Sequence, residues 1–218
     1  MPQITKITKQ KKGERFNIFL QDQYAFSVNN YVLLENSLKV GVEVTQDQIK
    51  NILAKDQLGQ LTDLSIKFLS FRPRSEKEVK DYLTKKIAQK SEIKVSQAQK
   101  SPLIAKVIEK LKRYKYINDR DFANWLLNSR LKSSSPRSLR VIKAELKIKG
   151  IDADLIENAS KFTPNESEQA KKALSKKIGK WGKLETTEVK KKAYNYLASR
   201  GFDYEAIKDA VAFYTKKR

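Results

Sequence analysis

The feature that most constrains the fold is a glycine-centred pattern that occurs twice, 51 residues apart. Apolar residues at helical spacing lead to Lys149-Gly150-Ile151-Asp152 and again to Arg200-Gly201-Phe202-Asp203. Glycine supplies the left-handed conformation in which helices often end, and an aspartate two residues later is a preferred N-cap for a new helix. The pattern therefore predicts, at both places, a helix, a tight turn and a second helix.

The segment before the repeated helix also recurs. Arg72-Pro73-Arg74-Ser75 and Ser135-Pro136-Arg137-Ser138 each precede apolar residues at helical spacing. In the earlier copy, Ser75 has capping-box spacing to an acidic residue. In the later copy, either Ser135 or Ser138 is predicted to cap the helix.

These signals predict about three helices per module, in modules at residues 61–116, 117–163 and 164–218. The last module is expected to open at Thr163-Pro164-Asn165-Glu166, which has capping-box spacing and places Pro164 at the first helical position. Small modules that bury little surface alone gain stability by stacking. We therefore predict a mainly α fold in which three tandem three-helix modules form an elongated, curved array.

Residues 1–60 have a different character. Three runs rich in aromatic and β-branched residues predict a small antiparallel meander; they are residues 4–8, 15–20 and 24–28. Val44-Thr45-Gln46-Asp47 then predicts a capped helix that ends near Lys55. A β-containing N-terminal segment is thus expected to precede the modules.

Positive charge is concentrated after this segment. The chain has 46 Lys and Arg against 25 Asp and Glu, a net charge of +21. Residues 1–60 hold 8 basic and 6 acidic residues, so 38 basic and 19 acidic residues remain for the other 158. An imbalance confined to one part of a chain indicates a polyanionic partner for that part.

Several function classes conflict with the composition. The chain has no histidine and no cysteine, which excludes Ser–His and Cys–His catalytic pairs and disulfides. Its glycines fit neither common phosphate-binding loop, and Asp119 and Asp121 are interpreted as first-turn helix acids rather than metal ligands. We predict no catalytic residue, no metal and no cofactor.

No apolar run approaches the ~18–20 residues that span a bilayer. The N-terminus has no hydrophobic signal core. We expect a cytoplasmic protein without a membrane partner.

The candidate binding residues are basic side chains near repeated elements. Arginine presents a planar fork to phosphate or carboxylate groups. The candidates are Arg72, Arg74 and Arg137 before the repeated helices; Arg140, Lys143 and Lys147 on one helix face; and Lys176, Lys177, Lys180 and Lys183 around an indole. That indole, Trp181, either stacks on a base or partner, or caps the core of the third module.

The repeats carry a family resemblance. The matching segments are Phe71-Arg72-Pro73-Arg74-Ser75, Tyr116-Ile117-Asn118-Asp119-Arg120-Asp121-Phe122-Ala123, Ser135-Pro136-Arg137 with Glu145-Leu146-Lys147-Ile148-Lys149-Gly150-Ile151, and Leu197-Ala198-Ser199-Arg200-Gly201-Phe202. In these segments the chain resembles the RecX family of recombinase regulators. The N-terminal segment resembles the extension found on longer members.

The resemblance implies a specific function. It implies tandem three-helix modules in a curved body that binds within the helical groove of the RecA filament on DNA, and that inhibits strand exchange and the RecA ATPase. On this interpretation the protein is a monomer that contacts RecA and, directly or through the filament, DNA. Charge alone leaves two other interpretations open: a general single- or double-stranded nucleic-acid-binding protein without a recombinase partner, and an adaptor whose charge serves solubility.

Overall fold

The structure is a computed structural model that describes residues 1–11, 13–161, 163–181 and 184–216. The chain separates into two compact units. The first comprises Met1–Phe71 and Tyr82–Tyr114, and the second comprises Arg72–Asp81 and the residues from Lys115 onward.

Helices dominate the described residues, as predicted. The strands are β1 (Ile4–Lys9), β2 (Arg15–Leu20) and β3 (Gln23–Asn29). The helices are α1 (Asn30–Glu35), α2 (Gln46–Ser70), α3 (Glu76–Ser91), α4 (Val95–Ala98), α5 (Pro102–Arg113), α6 (Asp119–Leu131), α7 (Leu139–Ile148), α8 (Ala153–Ser160), α9 (Glu166–Ile178), α10 (Thr186–Ser199) and α11 (Tyr204–Thr215). A single 3₁₀ turn, Gly179–Trp181, follows α9.

The three strands form the predicted antiparallel meander, in the order β1-β2-β3. Ile18 on the central strand pairs with Ile7 on one side and Phe26 on the other. Ile18 and Phe26 are buried, together with Val32 of α1 and Ile52 of α2. The helices that follow the sheet thus cover its apolar face, which a three-stranded sheet needs for stability in water.

Helix α2 is longer than predicted. Thr45 and Gln48 form a reciprocal capping box at its start, but the predicted end near Lys55 is wrong because the helix continues to Ser70. Beyond Lys55 its inner face is occupied: Leu61 is buried, and Asp56 accepts hydrogen bonds from other parts of the first unit. Tertiary contacts therefore stabilise the helix beyond Lys55, through Gly59.

The second unit contains two three-helix cores. Helices α6, α7 and α8 bury Phe122, Leu146 and Ile156, whereas α9, α10 and α11 bury Leu174 and Leu197. These cores match the expectation of repeated three-helix modules. The indoles lie at their margins, since Trp125 packs against the first core and Trp181 against the second.

In the second unit the helix boundaries mostly follow the predicted chemistry, although Asp152 forms no side-chain capping hydrogen bond to α8. Gly150 and Gly201 adopt positive φ, at +80° and +83°. Ser138, rather than Ser135, caps α7 by accepting from the Val141 amide. For α9 the predicted Thr163 cap is wrong.

The cap of α9 is Asn165, whose side chain accepts from the Ser167 amide. Pro164 consequently lies before the helix rather than in its first turn. Asparagine caps helices at least as well as threonine, so the helix begins at the nearer, better cap. Among the described residues, no helix is both long and apolar enough to span a membrane.

Candidate anion-binding surface

The repeated segments come together at two junctions within the second unit. At the first, the N-terminal end of α3 packs on the turn between α7 and α8. Lys77 Nζ donates to the Ile148 carbonyl at 2.8 Å, and a Cβ placed on Gly150 would lie 2.8 Å from Lys77 Cβ. Two features therefore require glycine at position 150: the backbone conformation of the turn and the close approach of the Lys77 side chain.

The second junction repeats the first one module later. The N-terminal end of α7 packs on the turn between α10 and α11. The Ser138 amide donates to the Arg200 carbonyl at 3.1 Å, and Arg140 Nη2 donates to the Gly201 carbonyl at 3.3 Å. At both junctions a basic side chain near the start of one helix donates to a backbone carbonyl of the turn, but the surrounding charged side chains differ.

An ion-pair cluster occupies the first junction. Arg72 donates two hydrogen bonds to Glu78, at 2.8 and 3.2 Å, and Lys149 Nζ donates to the same carboxylate at 2.7 Å. Burial raises the pKa of Glu78, but the hydrogen bonds from Arg72 and Lys149 outweigh burial and lower the pKa to about 2. The Arg72 guanidinium also lies 5.8 Å from the centre of the Trp125 ring.

A second carboxylate extends this cluster. Arg130 binds Glu145 through Nη2 at 2.6 Å and Nε at 3.0 Å, and Arg137 Nη1 lies 3.8 Å from the same carboxylate. The Arg130 hydrogen bonds lower the pKa of Glu145 against the effect of burial, and the charges of Arg137 and Lys149 lower it further. Four cations thus surround two carboxylates, which leaves net positive charge here.

The second junction contains an aromatic ring flanked by cations. The Arg200 guanidinium lies 5.0 Å and Lys177 Nζ 5.4 Å from the centre of the Tyr196 ring. The Tyr196 hydroxyl and Ser135 Oγ share a hydrogen bond. Trp181 meets Tyr196 edge-on, with ring centres 6.3 Å apart.

The predicted arginines differ in how much they are engaged. Arg72 and Arg137 belong to the cluster around Glu78 and Glu145. Arg74 is half-buried, and burial lowers its pKa, as does the neighbouring charge of Arg72. The Arg137 side chain is 51% exposed, so much of its guanidinium faces solvent.

The lysine candidates are spread over the second unit. Lys143 is engaged with Glu157 at 2.7 Å, whereas Lys147, Lys176 and Lys180 are exposed. Lys177 lies over Tyr196, and Lys183 falls outside the described residues. Of the candidates, Arg72 and Arg137 therefore lie at the first junction, and Arg140 and Lys177 at the second.

Three basic residues and a tyrosine at these junctions were not among the predicted site residues: Arg130, Lys149, Arg200 and Tyr196. Lys149 and Arg200 occupy the same position of the 51-residue repeat, and that recurrence was the available signal. The Arg130–Glu145 pair had no local signal, because the residues lie on different helices.

The described residues contain no group of three or more acidic side chains placed to hold a metal ion. The chemistry available at both junctions is recognition of anions by guanidinium and ammonium groups.

Four family models match successive segments of the chain. Residues 2–45 match the regulatory protein RecX N-terminal domain. Residues 63–93, 118–159 and 165–211 match the first, second and third three-helix domains of RecX.

Curated relatives carry the same description. Proteins named regulatory protein RecX from Bacillus pumilus and Bacillus subtilis are 40% identical over 214 residues, covering 97% of this chain and 77% and 76% of theirs. A crystal structure of a regulatory protein RecX aligns over the full length of both chains, with a TM-score of 0.63 and 25% identity. A crystal structure of RecX from Lactobacillus salivarius, 23% identical, covers 73% of this chain and 97% of its own, with a TM-score of 0.55, and shows the same fold.

Proposed function

Because the chain belongs to the RecX family of regulatory proteins, we propose that it regulates the RecA recombinase by binding the RecA–DNA filament. In this proposal the protein lies in the helical groove of the filament. It inhibits strand exchange and RecA ATP hydrolysis by occupying that groove, without catalysing a reaction itself.

The observation that carries the proposal is the match of all four family domains, in order, along one chain. The charge distribution supports it. A nucleoprotein filament presents DNA phosphates and acidic protein side chains, and the cations of this chain are concentrated in its helical modules. Tandem modules also suit a repeating target, because linked contacts to neighbouring subunits raise the overall affinity.

The first junction is the surface that we assign to the filament. Within the part of the chain that the structure describes, the cations of this junction form ion pairs with two carboxylates, those of Glu78 and Glu145; the cations are Arg72, Arg130, Arg137 and Lys149. Arg137 is the most suitable for an external anion, since its ion pair with Glu145 is long and half of its side chain is exposed. An arginine held in this way can bind a phosphate or carboxylate with two parallel hydrogen bonds.

The same charge distribution favours a second candidate function. A protein with surplus cations on most of its length can bind nucleic acid without any recombinase. The two functions differ in whether a preformed filament responds to the protein.

The test is titration of the protein onto RecA filaments preformed on single-stranded DNA, with ATP hydrolysis and strand exchange as readouts. We expect both activities to fall at stoichiometric or lower ratios of protein to RecA. Tight binding to bare DNA, combined with unchanged activity of preformed filaments, would favour the second candidate and contradict the proposal.

A further inference from the structure

We propose that Lys177, Tyr196 and Arg200, at the second junction, form a binding site for the phosphates of a single-stranded nucleic acid. The role of this site in the cell rests on the proposed function. Binding itself requires no recombinase, so it can be tested on bare DNA.

The two cations are held in place before any ligand arrives. The face of an aromatic ring attracts cations, and Tyr196 has both Lys177 and Arg200 within 5.4 Å of its centre. Arg200 Nη1 also donates to the Ser135 carbonyl at 2.7 Å. The Tyr196 hydroxyl is tied to the Ser135 side chain, so ring, guanidinium and loop are ordered together.

A comparison of the two junctions shows why positive charge is left over at the second. Lys149 and Arg200 are equivalent in the 51-residue repeat, but Lys149 binds the Glu78 carboxylate at 2.7 Å. The segments that precede the repeated helix align Ser75 with Ser138. In the same alignment, Glu78 of the first junction corresponds to Val141 of the second. The chain thus has an apolar side chain where the first junction has its neutralising acid.

Among the described residues, neither Lys177 nor Arg200 forms an ion pair with a carboxylate. Lys176 and Lys180 are exposed close by along the chain. Lys177 and Arg200 both lie near the Tyr196 ring, and an anion bound beside them would offset the repulsion between their charges. Lys177 and Arg200 are therefore suited to take up an additional anion, whereas the nearby carboxylates of Glu166 and Asp203 lie close to one another and Glu166 interacts with Arg140.

The aromatic residues favour nucleic acid over an acidic peptide. Proteins that bind single strands combine cations for the phosphates with aromatic side chains for the bases. Trp181 is partly exposed and meets Tyr196 edge-on, so a base attached to a bound phosphate would have an indole within reach. An acidic peptide would use the cations but not the indole.

The experiment uses the intrinsic fluorescence of the full chain. Trp125 and Trp181 are its two tryptophans, so a Trp125→Phe background leaves Trp181 as the only indole. We expect a thymidine oligonucleotide to change Trp181 emission. We also expect the double variant Lys177→Gln, Arg200→Gln to bind the oligonucleotide at least about tenfold more weakly. Its salt slope, which is the decrease of the logarithm of the binding constant per unit of log salt concentration, should fall by about 1.4, because each single-strand phosphate contact contributes about 0.7.

The matched control is Lys192→Gln. Lys192 lies on the same helix as Tyr196 but is paired with Glu188 at 3.1 Å, so its loss should leave the salt slope within about 0.3 of the parent value. Because Arg200 also holds the Ser135 loop, a second variant leaves Arg200 in place and combines Lys177→Gln, at a half-buried position, with Lys180→Gln, at an exposed one. We expect it to lower the salt slope without lowering the melting temperature.

Two results would overturn the site. The first is that both double variants have the same salt slope and the same Kd for the oligonucleotide as the Lys192→Gln control. The other is tighter binding of a polyglutamate peptide than of an oligonucleotide of equal charge, which would assign the surface to an acidic protein. Neither result affects the proposed function, because these assays contain no recombinase and the filament assay measures RecA activity.

Discussion

Gly201 lies so close to Val141 that a Cβ on the glycine would overlap Cγ2 of the valine. The same Cβ would lie 2.8 Å from Ser138 Oγ, and the glycine has a φ of +83°. Gly201→Val should therefore lower the free energy of unfolding by roughly 2–4 kcal/mol, through backbone strain and steric overlap. Urea denaturation measures this change.

The control for that substitution is Gly179→Ala. Gly179 has a φ of −60°, and a Cβ there would meet no neighbouring atom. We expect a change within about 0.5 kcal/mol. Adding Val141→Ala to the Gly201 variant should restore part of its stability, and no recovery would show that overlap with Val141 contributes little.

The cap of α9 gives a second prediction. Asn165→Ala should destabilise the protein by about 1 kcal/mol, because the Ser167 amide loses its acceptor. Thr163→Ala should cost less than about 0.5 kcal/mol. Thermal unfolding of both variants measures these losses. If Thr163 were the cap, Thr163→Ala would lower the melting temperature more than Asn165→Ala.

A third prediction concerns the buried ion pair of the first unit. Asp56 is 3% exposed and binds Arg15 Nη2 at 2.9 Å and the Asn29 amide at 2.9 Å. Asp56→Ala leaves these donors unsatisfied, so we expect a loss of roughly 3 kcal/mol in a urea melt. Asp63→Ala, an exposed position on the same helix, should change stability by less than about 0.5 kcal/mol.

The pKa of Glu78 gives a fourth prediction. The folded-state pKa is about 2, below the ordinary value of 4.5, so ionised Glu78 stabilises the fold at pH values above about 4.5. That contribution is lost as the pH falls from 4.5 toward 2. The difference in free energy of unfolding between wild type and Glu78→Gln should therefore be largest near pH 7 and shrink across this window.

Urea midpoints at pH 7, 4.5 and 2.5 measure that difference. Glu188→Gln removes an exposed pair with Lys192 and should cost less than about 1 kcal/mol at pH 7. A wild-type advantage over Glu78→Gln that was equally large at pH 2.5 would contradict the assigned pKa.

The fifth prediction tests the first junction as a filament contact. Arg137→Gln removes a half-exposed cation and leaves the Arg130–Glu145 pair intact. We expect weaker inhibition of RecA ATP hydrolysis with a nearly unchanged melting temperature. Lys208→Gln, which removes an exposed cation of α11, is the control, and equal inhibition by the two variants would remove Arg137 from the interface.

Local chemistry made the helix ends predictable. Positive φ at Gly150 and Gly201 follows from residue type, because other residues adopt that conformation at a cost. The strands of the N-terminal segment were predictable for a similar reason, since aromatic and β-branched residues mark them. Helix α9 shows the limit: Thr163 and Asn165 both suit an N-cap, and spacing alone did not choose between them.

The charged clusters were less accessible from sequence. Glu78 and Lys149 are 71 residues apart, and Arg130 and Glu145 lie on separate helices. The first pair depends on how one module packs against the next, and the second on how two helices pack within one module. No local pattern encodes either contact. The extension of α2 past Lys55 has the same origin, because the contacts of Asp56 and Leu61 stabilise it.

The sequence by itself determined the repeat, the helix ends at Gly150 and Gly201 and the excess of positive charge after residue 60. These properties depend on residue type and spacing along the chain. Only the tertiary structure decided which cations are neutralised. Packing brings the Glu78 carboxylate to Lys149 at one junction, whereas it brings Val141 to Gly201 at the other and leaves Arg200 over a tyrosine ring.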